Sequence, residues 1–151
     1  MNRVEAEPES AALSRSLVGK DNSVSMVIDM GAERTNFFII DQGAPVTHHS
    51  IETGGDKINS ILRNILGVEE KMVEQIKFDL SKYLSPAQYA SKGNLLDIFM
   101  PVVDPIDKEI EYSFDLFLRQ SGNEKKSPEK IILTGGTSFL PYLPQYIADK
   151  F

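Results

Sequence analysis

The sequence predicts an α/β fold in which helices pack on a mixed sheet that contains an antiparallel three-strand meander. Three runs of strand-forming residues follow one another before residue 54, and the later segments place apolar residues every three or four positions. A further short apolar run, Ile131-Ile132-Leu133, adds a strand after the helical segments. The predicted order of elements is therefore α, βββ, αα, α, β, α.

The strands of the meander are predicted from short apolar runs that end in turns. Residues 24–28 are almost continuously apolar and stop at a turn that contains Gly31, which is typical of a buried strand. Residues 37–40 end before Gly43, and residues 46–53 alternate strand formers with polar residues. Tight turns between consecutive strands favour antiparallel pairing.

Five helices are predicted, at about residues 8–18, 58–66, 68–80, 105–120 and 140–151. Each rests on apolar residues spaced three or four apart. Residues 81–94 are expected to form a loop. Pro101 and Pro105 are expected to exclude a regular helix before the fourth segment, because proline has no amide donor.

The composition is that of an ordinary globular protein and disfavours several functional classes. The 16 Lys+Arg and 22 Asp+Glu give a net charge of −6, which argues against sequence-independent nucleic-acid binding because that binding neutralises phosphates. No apolar run approaches the roughly 20 residues that cross a bilayer. The chain has no cysteine, which excludes a thiolate nucleophile and fits a reducing compartment. We therefore predict a cytoplasmic protein without a transmembrane segment or a nucleic-acid partner.

A carboxylate and a glycine turn follow the first strand. Asp29 ends the strand, Gly31 and Ala32 form the turn, and Thr35 opens the next strand. Backbone amides in such a turn can cradle an anion, and Mg²⁺ prefers carboxylate oxygens while it retains waters. Taken alone, the segment also fits a β-hairpin with an acidic turn.

A second glycine turn, Gly135-Gly136-Thr137, follows the strand at residues 131–133 and is expected to open a helix. Its amides could face the phosphate or sugar of a nucleotide, although the two glycines also fit a turn that only leads into the helix. No Gly-Lys-Ser/Thr follows, so this is not a Walker loop. We expect this turn and the Asp29 turn to lie side by side at one rim of the sheet.

Together, these segments resemble the C-terminal half of the actin-like ATPases, which have an RNase H-like fold. The resemblance is carried by the segment from Asp29 to Thr35, Gly54-Gly55-Asp56, Glu74 with Lys77, and Gly135-Gly136. Within that superfamily the chain looks most similar to the PilM family of type IV pilus assembly proteins. The resemblance implies ATP and Mg²⁺ as cofactors. It also implies an inner-membrane pilus platform protein as partner, whose cytoplasmic peptide tail docks on the first domain of the relatives, and it leaves oligomerisation open.

The resemblance also assigns a role to each matching residue. Glu7 matches an acidic residue near the attacking water and the metal, so it is the implied catalytic residue. Glu74 and Lys77 match a pair that contacts the ribose hydroxyls. The residues that match a phosphate loop, with Asp29 beside the metal, are Asp29, Gly31, Ala32 and Thr35. The residues that match the adenosine turn are Gly135, Gly136 and Thr137.

The domain organisation implied by the resemblance has three parts. These are a connecting helix at residues 1–19, an actin-like subdomain at residues 20–57 and 95–151, and a small helical insertion at residues 58–94. Relatives carry a further domain with its own phosphate loop, so we expect the chain to be a fragment that is inactive alone and peripheral to the inner membrane through its partners. Two alternatives stay open: another actin relative of the FtsA, MreB or chaperone type, and an interaction scaffold that binds no nucleotide.

Overall fold

The computed structural model describes residue 18 and residues 22–83, 94–120, 122–126, 128–139 and 143–151. The strands are β1 (Ser25–Met30), β2 (Thr35–Asp41), β3 (Ala44–Ile51) and β4 (Lys130–Thr134). The α-helices are α1 (Gly55–Leu66), α2 (Glu70–Tyr83), α3 (Asn94–Leu118) and α4 (Leu143–Lys150), and a short 3-10 helix covers Gly136–Phe139. Apart from Val18, the predicted N-terminal helix lies outside the described residues.

The four strands form one sheet in the order β3-β2-β1-β4. Strands β1 and β2 are antiparallel, with Val27 opposite Phe38, and β2 and β3 are also antiparallel. Strand β4 runs parallel to β1 and places Ile132 beside Val27. The predicted α/β class, mixed sheet and three-strand meander are thus confirmed.

Strands β1 and β2 are buried on both faces. Met26, Ile28 and Phe37 belong to a large core cluster that includes residues of all four α-helices. Val27 and Phe38 belong to a smaller cluster on the opposite face. Because side chains alternate along a strand, a strand covered on both faces reads as an unbroken apolar run. This burial explains the two apolar runs in the sequence.

Helix α3 begins 11 residues earlier than predicted, at Asn94 rather than Pro105, and contains both prolines. Phe99, Val102 and Ile106 lie in the core, whereas Pro101 is exposed and Pro105 is half-buried. Residues four apart share one face of a helix, so the prolines lie together away from the core. Core burial therefore outweighs the local cost of the prolines, and the prediction that they exclude a regular helix before Pro105 was wrong.

The loop prediction was also wrong at its start, because α2 continues to Tyr83. Residues 84–93, which complete the predicted loop, lie outside the described residues. The division of the chain into a connecting helix, a sheet subdomain and a helical insertion stays a prediction. Ile58 and Leu62, at the start of the predicted insertion, share the large core cluster with the sheet.

Helix α4 differs from the predicted last helix at its beginning. The glycine turn opens the four-residue 3-10 helix, and α4 starts only at Leu143, with Pro144 in its first turn. An ion pair between Lys150 and the buried Asp107 fastens α4 to α3, and Lys150 Nζ also lies 3.0 Å from Glu111 Oε1. The Asp107 carboxylate, followed by Glu111, raises the pKa of Lys150.

The burial of α3 predicts the cost of truncating its core face. We expect Ile110→Ala, at a fully buried position, to lower the free energy of unfolding by about 2–5 kcal/mol, because the change removes apolar contacts and leaves a cavity. Ile65→Ala is the matched control, since Ile65 is 52% exposed at the end of α1, and it should cost less than about 1 kcal/mol. Urea unfolding of both variants measures the difference, and equal losses would contradict the assigned core.

Candidate functional site

The two glycine turns that follow β1 and β4 lie side by side. Asp29, near the end of β1, is paired in register with Thr134, the last residue of β4. Since the two strands are parallel, their carboxyl ends reach the same rim of the sheet, and neighbouring strands are only about 4.8 Å apart. The expectation that both turns share one rim is therefore confirmed. We call this edge, from Asp29 to Ala32 and from Thr134 to Thr137, the glycine rim.

Gly135 makes this close approach possible. Its backbone φ is +89°, a conformation that side chains with a Cβ rarely adopt. A Cβ atom built at Gly135 would also overlap the backbone carbonyl group of Met30. Only glycine fits this position without displacing β1.

The first turn is also joined to the start of α1. The Gly55 amide donates to the Gly31 carbonyl at 3.0 Å, and the Asp56 amide donates to the Ala32 carbonyl at 2.9 Å. These amides are among the N-terminal donors of α1 that have no partner within the helix, so the turn satisfies them. Gly54 is close to the same carbonyls, where a Cβ would overlap the Ala32 oxygen.

Three of the groups predicted to bind the ligand already have partners within the protein. The buried Thr35 hydroxyl donates to the Thr53 carbonyl at 2.6 Å, and the Gly31 amide donates to the Arg34 carbonyl at 3.0 Å. The buried Thr137 hydroxyl makes a long hydrogen bond of 3.4 Å to the Gly31 carbonyl. A direct contact between any of these donors and a ligand would require its internal bond to open or to be shared.

Other predicted residues of the glycine rim are at least partly open to solvent. Asp29 is half-buried, and Ala32 and Gly136 are exposed. A carboxylate beside exposed backbone suits a hydrated Mg²⁺ that is held mainly by phosphate oxygens and water. The described residues contain no group of three or more acidic, histidine or cysteine side chains that could hold a metal without such a ligand.

Glu74 and Lys77 meet on α2, as their spacing of three residues requires. Lys77 Nζ donates to Glu74 Oε1 at 2.9 Å, and both residues also bond the side chain of Asn59 on α1. The Lys77 ammonium, followed by the Asn59 amide, lowers the pKa of Glu74. Sequence reasoning missed Asn59, although a polar residue between the buried Ile58 and Leu62 was a signal that could have identified it.

A groove of about 750 Å³ runs along the outer edge of β4, beside the glycine rim. Its lining includes Phe114, Leu133, Ile147 and Phe151. A triphosphate requires amide and cationic donors, and Lys130 is the one cationic side chain among the described residues of this lining, next to the acidic Glu129. We therefore do not assign the groove to the phosphates.

The predicted catalytic residue, Glu7, lies outside the described residues. In the part of the chain that the structure describes, no helix combines the length and the apolar character needed to cross a membrane.

The chain matches the family model described as type IV pilus assembly protein PilM over residues 6–151. It is also similar to the cell shape-determining protein Mbl of Bacillus subtilis, with 26% identity over 97% of this chain. The match covers 51% of Mbl, so the chain spans about half the length of this relative.

Solved structures share the fold. A PilM-PilN type IV pilus biogenesis complex matches with a TM-score of 0.64 and 23% identity, over 91% of this chain and 36% of that chain. MreB 5 of Spiroplasma citri bound to AMPPNP matches with a TM-score of 0.61 and 20% identity, over 93% of this chain and 50% of that chain. These likenesses confirm the actin-like fold.

The packing of Gly135 against β1 predicts an unequal response to two glycine substitutions. Gly135→Ala should lower the free energy of unfolding by about 2–5 kcal/mol, because it adds both backbone strain and an overlap with Met30. Gly43→Ala is the matched control: its φ is +76°, but a Cβ there meets nothing within 4 Å, so only the strain of about 1 kcal/mol applies. Thermal or urea unfolding that gave equal losses would contradict the close approach of the two strands.

Proposed function

Because the chain belongs to the PilM family of type IV pilus assembly proteins, we propose that it supplies one half of an ATP-binding cleft in a pilus assembly protein. The observation that carries the proposal is the parallel register of Asp29 with Thr134, which brings a carboxylate and two glycine turns to one rim. A nucleotide needs such a combination, because its phosphates bind backbone amides and its metal binds a carboxylate.

The proposed roles follow from which groups are open to solvent. Asp29 would hold Mg²⁺, and the exposed Ala32 would offer its amide to a phosphate. Gly136, where a Cβ would meet nothing within 4 Å, would let the adenosine approach the backbone, and Gly135 would hold this turn against β1. Glu74 and Lys77 would bind the ribose hydroxyls, since a carboxylate accepts and an ammonium donates a hydrogen bond.

The internal bonds of Gly31, Thr35 and Thr137 suggest a different role for these residues. Their donors bond the carbonyls of Arg34, Thr53 and Gly31, respectively. We assign them to shaping the rim, so that the exposed amide and carboxylate are held in place before a ligand arrives. Rigid placement of this kind reduces the entropy that binding would otherwise lose.

ATP hydrolysis is expected to be undetectable for these 151 residues alone. Hydrolysis requires a water aligned with the terminal phosphate and charged groups that stabilise the transition state. The rim offers too few phosphate contacts for that task. The role of Glu7 near the attacking water stays a proposal based on the family resemblance.

The proposed cellular role is in the cytoplasm at the inner membrane. One solved relative is a PilM-PilN complex, and we propose that the protein likewise binds a pilus protein of the membrane. The peptide tail of that partner is proposed to dock outside these residues.

A scaffold that keeps the fold but binds no nucleotide is the second candidate. It is favoured by the internal bonds of Thr35 and Gly31, which occupy two donors of the predicted phosphate loop. The two candidates differ in one measurable property, which is Mg²⁺-dependent affinity for ATP.

Asp29→Ala tests the proposed function. In the complete product of the gene, we expect the substitution to weaken Mg·ATP binding about tenfold or more and to remove the gain in affinity that Mg²⁺ gives, because a carboxylate ligand is lost. Calorimetric titration with Mg²⁺ or with EDTA measures both effects.

The matched control for this test is Asp115→Ala, which removes a carboxylate of α3 from an exposed ion pair with Arg119 and should leave the affinity unchanged. Absence of ATP binding in the unsubstituted protein would favour the scaffold. Equal affinity in the Asp29→Ala variant would remove Asp29 from the site.

A further inference from the structure

Asn59 lies where the two parts of the candidate site are joined. It is on α1 one helical turn after Gly55, whose amide bonds the Gly31 carbonyl of the glycine rim. Its side chain contacts Glu74 and Lys77 on α2. One short stretch of helix therefore links the glycine turns to the proposed ribose-binding pair.

Both ends of the Asn59 amide are used. Nδ2 donates to Glu74 Oε1 at 2.8 Å, and Oδ1 accepts from Lys77 Nζ at 2.9 Å. Lys77 also donates to the same Glu74 oxygen at 2.9 Å, which closes a triangle of hydrogen bonds. Two long and flexible side chains are thus tied to one buried, short side chain.

The exposure of the three side chains indicates which of them could meet a ligand. Asn59 is buried at 8% exposure and the Lys77 side chain is 15% exposed, whereas the Glu74 side chain is 63% exposed. Among the described residues, the hydrogen bonds to Glu74 both end on Oε1. The second oxygen, Oε2, is then available to accept a hydrogen bond from a hydroxyl group.

We propose that Asn59 is a positioning residue that holds Glu74 and Lys77 in the geometry needed to bind the ribose hydroxyls of the nucleotide. The inference rests on the proposed function. Asn59 itself does not touch the ligand; it removes rotamer freedom from the pair that does, and α1 sets the position of that pair relative to the glycine rim.

An amide is the side chain that this position requires. It must donate to a carboxylate and accept from an ammonium, and asparagine has one group for each task. Aspartate has nearly the same shape but no donor at neutral pH, so Asn59→Asp would place two carboxylates against each other. The bond to Lys77 would survive, whereas the bond that orients Glu74 would be lost.

The test compares ribose selectivity in matched variants of the complete gene product. Calorimetry with Mg²⁺ measures the Kd for ATP, 2′-deoxy-ATP and 3′-deoxy-ATP. We expect the unsubstituted protein to prefer ATP about tenfold or more over at least one analogue, as the loss of a hydrogen bond to a charged group predicts. Asn59→Asp should lose most of that preference and change the affinity for the analogue less than about threefold.

Asn64→Asp is the matched control. Asn64 is an exposed residue of α1, so the variant makes the same chemical change on the same helix away from the triangle. It should keep the selectivity of the unsubstituted protein. Asn59→Ser is a second probe, since its single short hydroxyl cannot bridge Glu74 and Lys77. It should also lose selectivity, and it replaces Asn59→Asp in the test if that variant does not fold.

A measurement on the protein without ligand distinguishes loss of the positioning role of Asn59 from general destabilisation of the fold. The pKa of Glu74 is lowered by its bonds to Lys77 and Asn59, and NMR titration of its carboxyl carbon measures it. Asn59→Asp should raise this pKa, because a donor is lost and a negative charge is added, whereas Asn64→Asp should not.

The outcomes distinguish the inference from the proposed function. If ATP binds with ribose selectivity and Asn59→Asp or Asn59→Ser retains it, the positioning role is wrong while the proposed function stands. If the unsubstituted protein does not bind ATP, the proposed function fails and the inference fails with it.

Discussion

Strand β4 pairs with β1 in parallel, and this single pairing determines where the candidate site lies. The hydrogen-bonding register carries the chain after Thr134 into contact with Met30, at a distance that only a glycine accommodates. The same rim then receives the amino end of α1 through two backbone hydrogen bonds. Backbone contacts therefore hold together three segments that are far apart in sequence. The positions of side chains such as Asp29 follow from this backbone arrangement.

The sequence was sufficient to predict the sheet because its central strands are covered on both faces. Burial on both faces produces the continuous apolar runs of β1 and β2, and the left-handed Gln42 and Gly43 fit a two-residue hairpin turn. The start of α3 was not predictable in the same way. Its prolines argue against a helix locally, and only the packing of residues such as Phe99 and Val102 against other elements reverses that preference.

The candidate site was predictable to a different extent for different residues. The position of the Asp29 and Gly135 turns follows from strands that end in glycine, so the pattern could be read directly. The internal hydrogen bonds of Thr35 and the triangle around Asn59 join residues 18 and 15 positions apart, and no local pattern reports such contacts. Sequence motifs therefore predicted that the turns after β1 and β4 are adjacent, but not which atoms within them are already bonded inside the protein.

The separation of the joined segments also has a kinetic consequence. Thr137 and Gly31 are 106 positions apart, whereas the three strands of the meander are connected by short turns. Closing a long loop costs chain entropy before its contacts form, so the meander can assemble well ahead of the β4 pairing. The edge that carries the two glycine turns then forms late in folding. A nucleotide would accordingly act on the finished domain, slowing its unfolding, rather than serve as a nucleus around which the chain collapses.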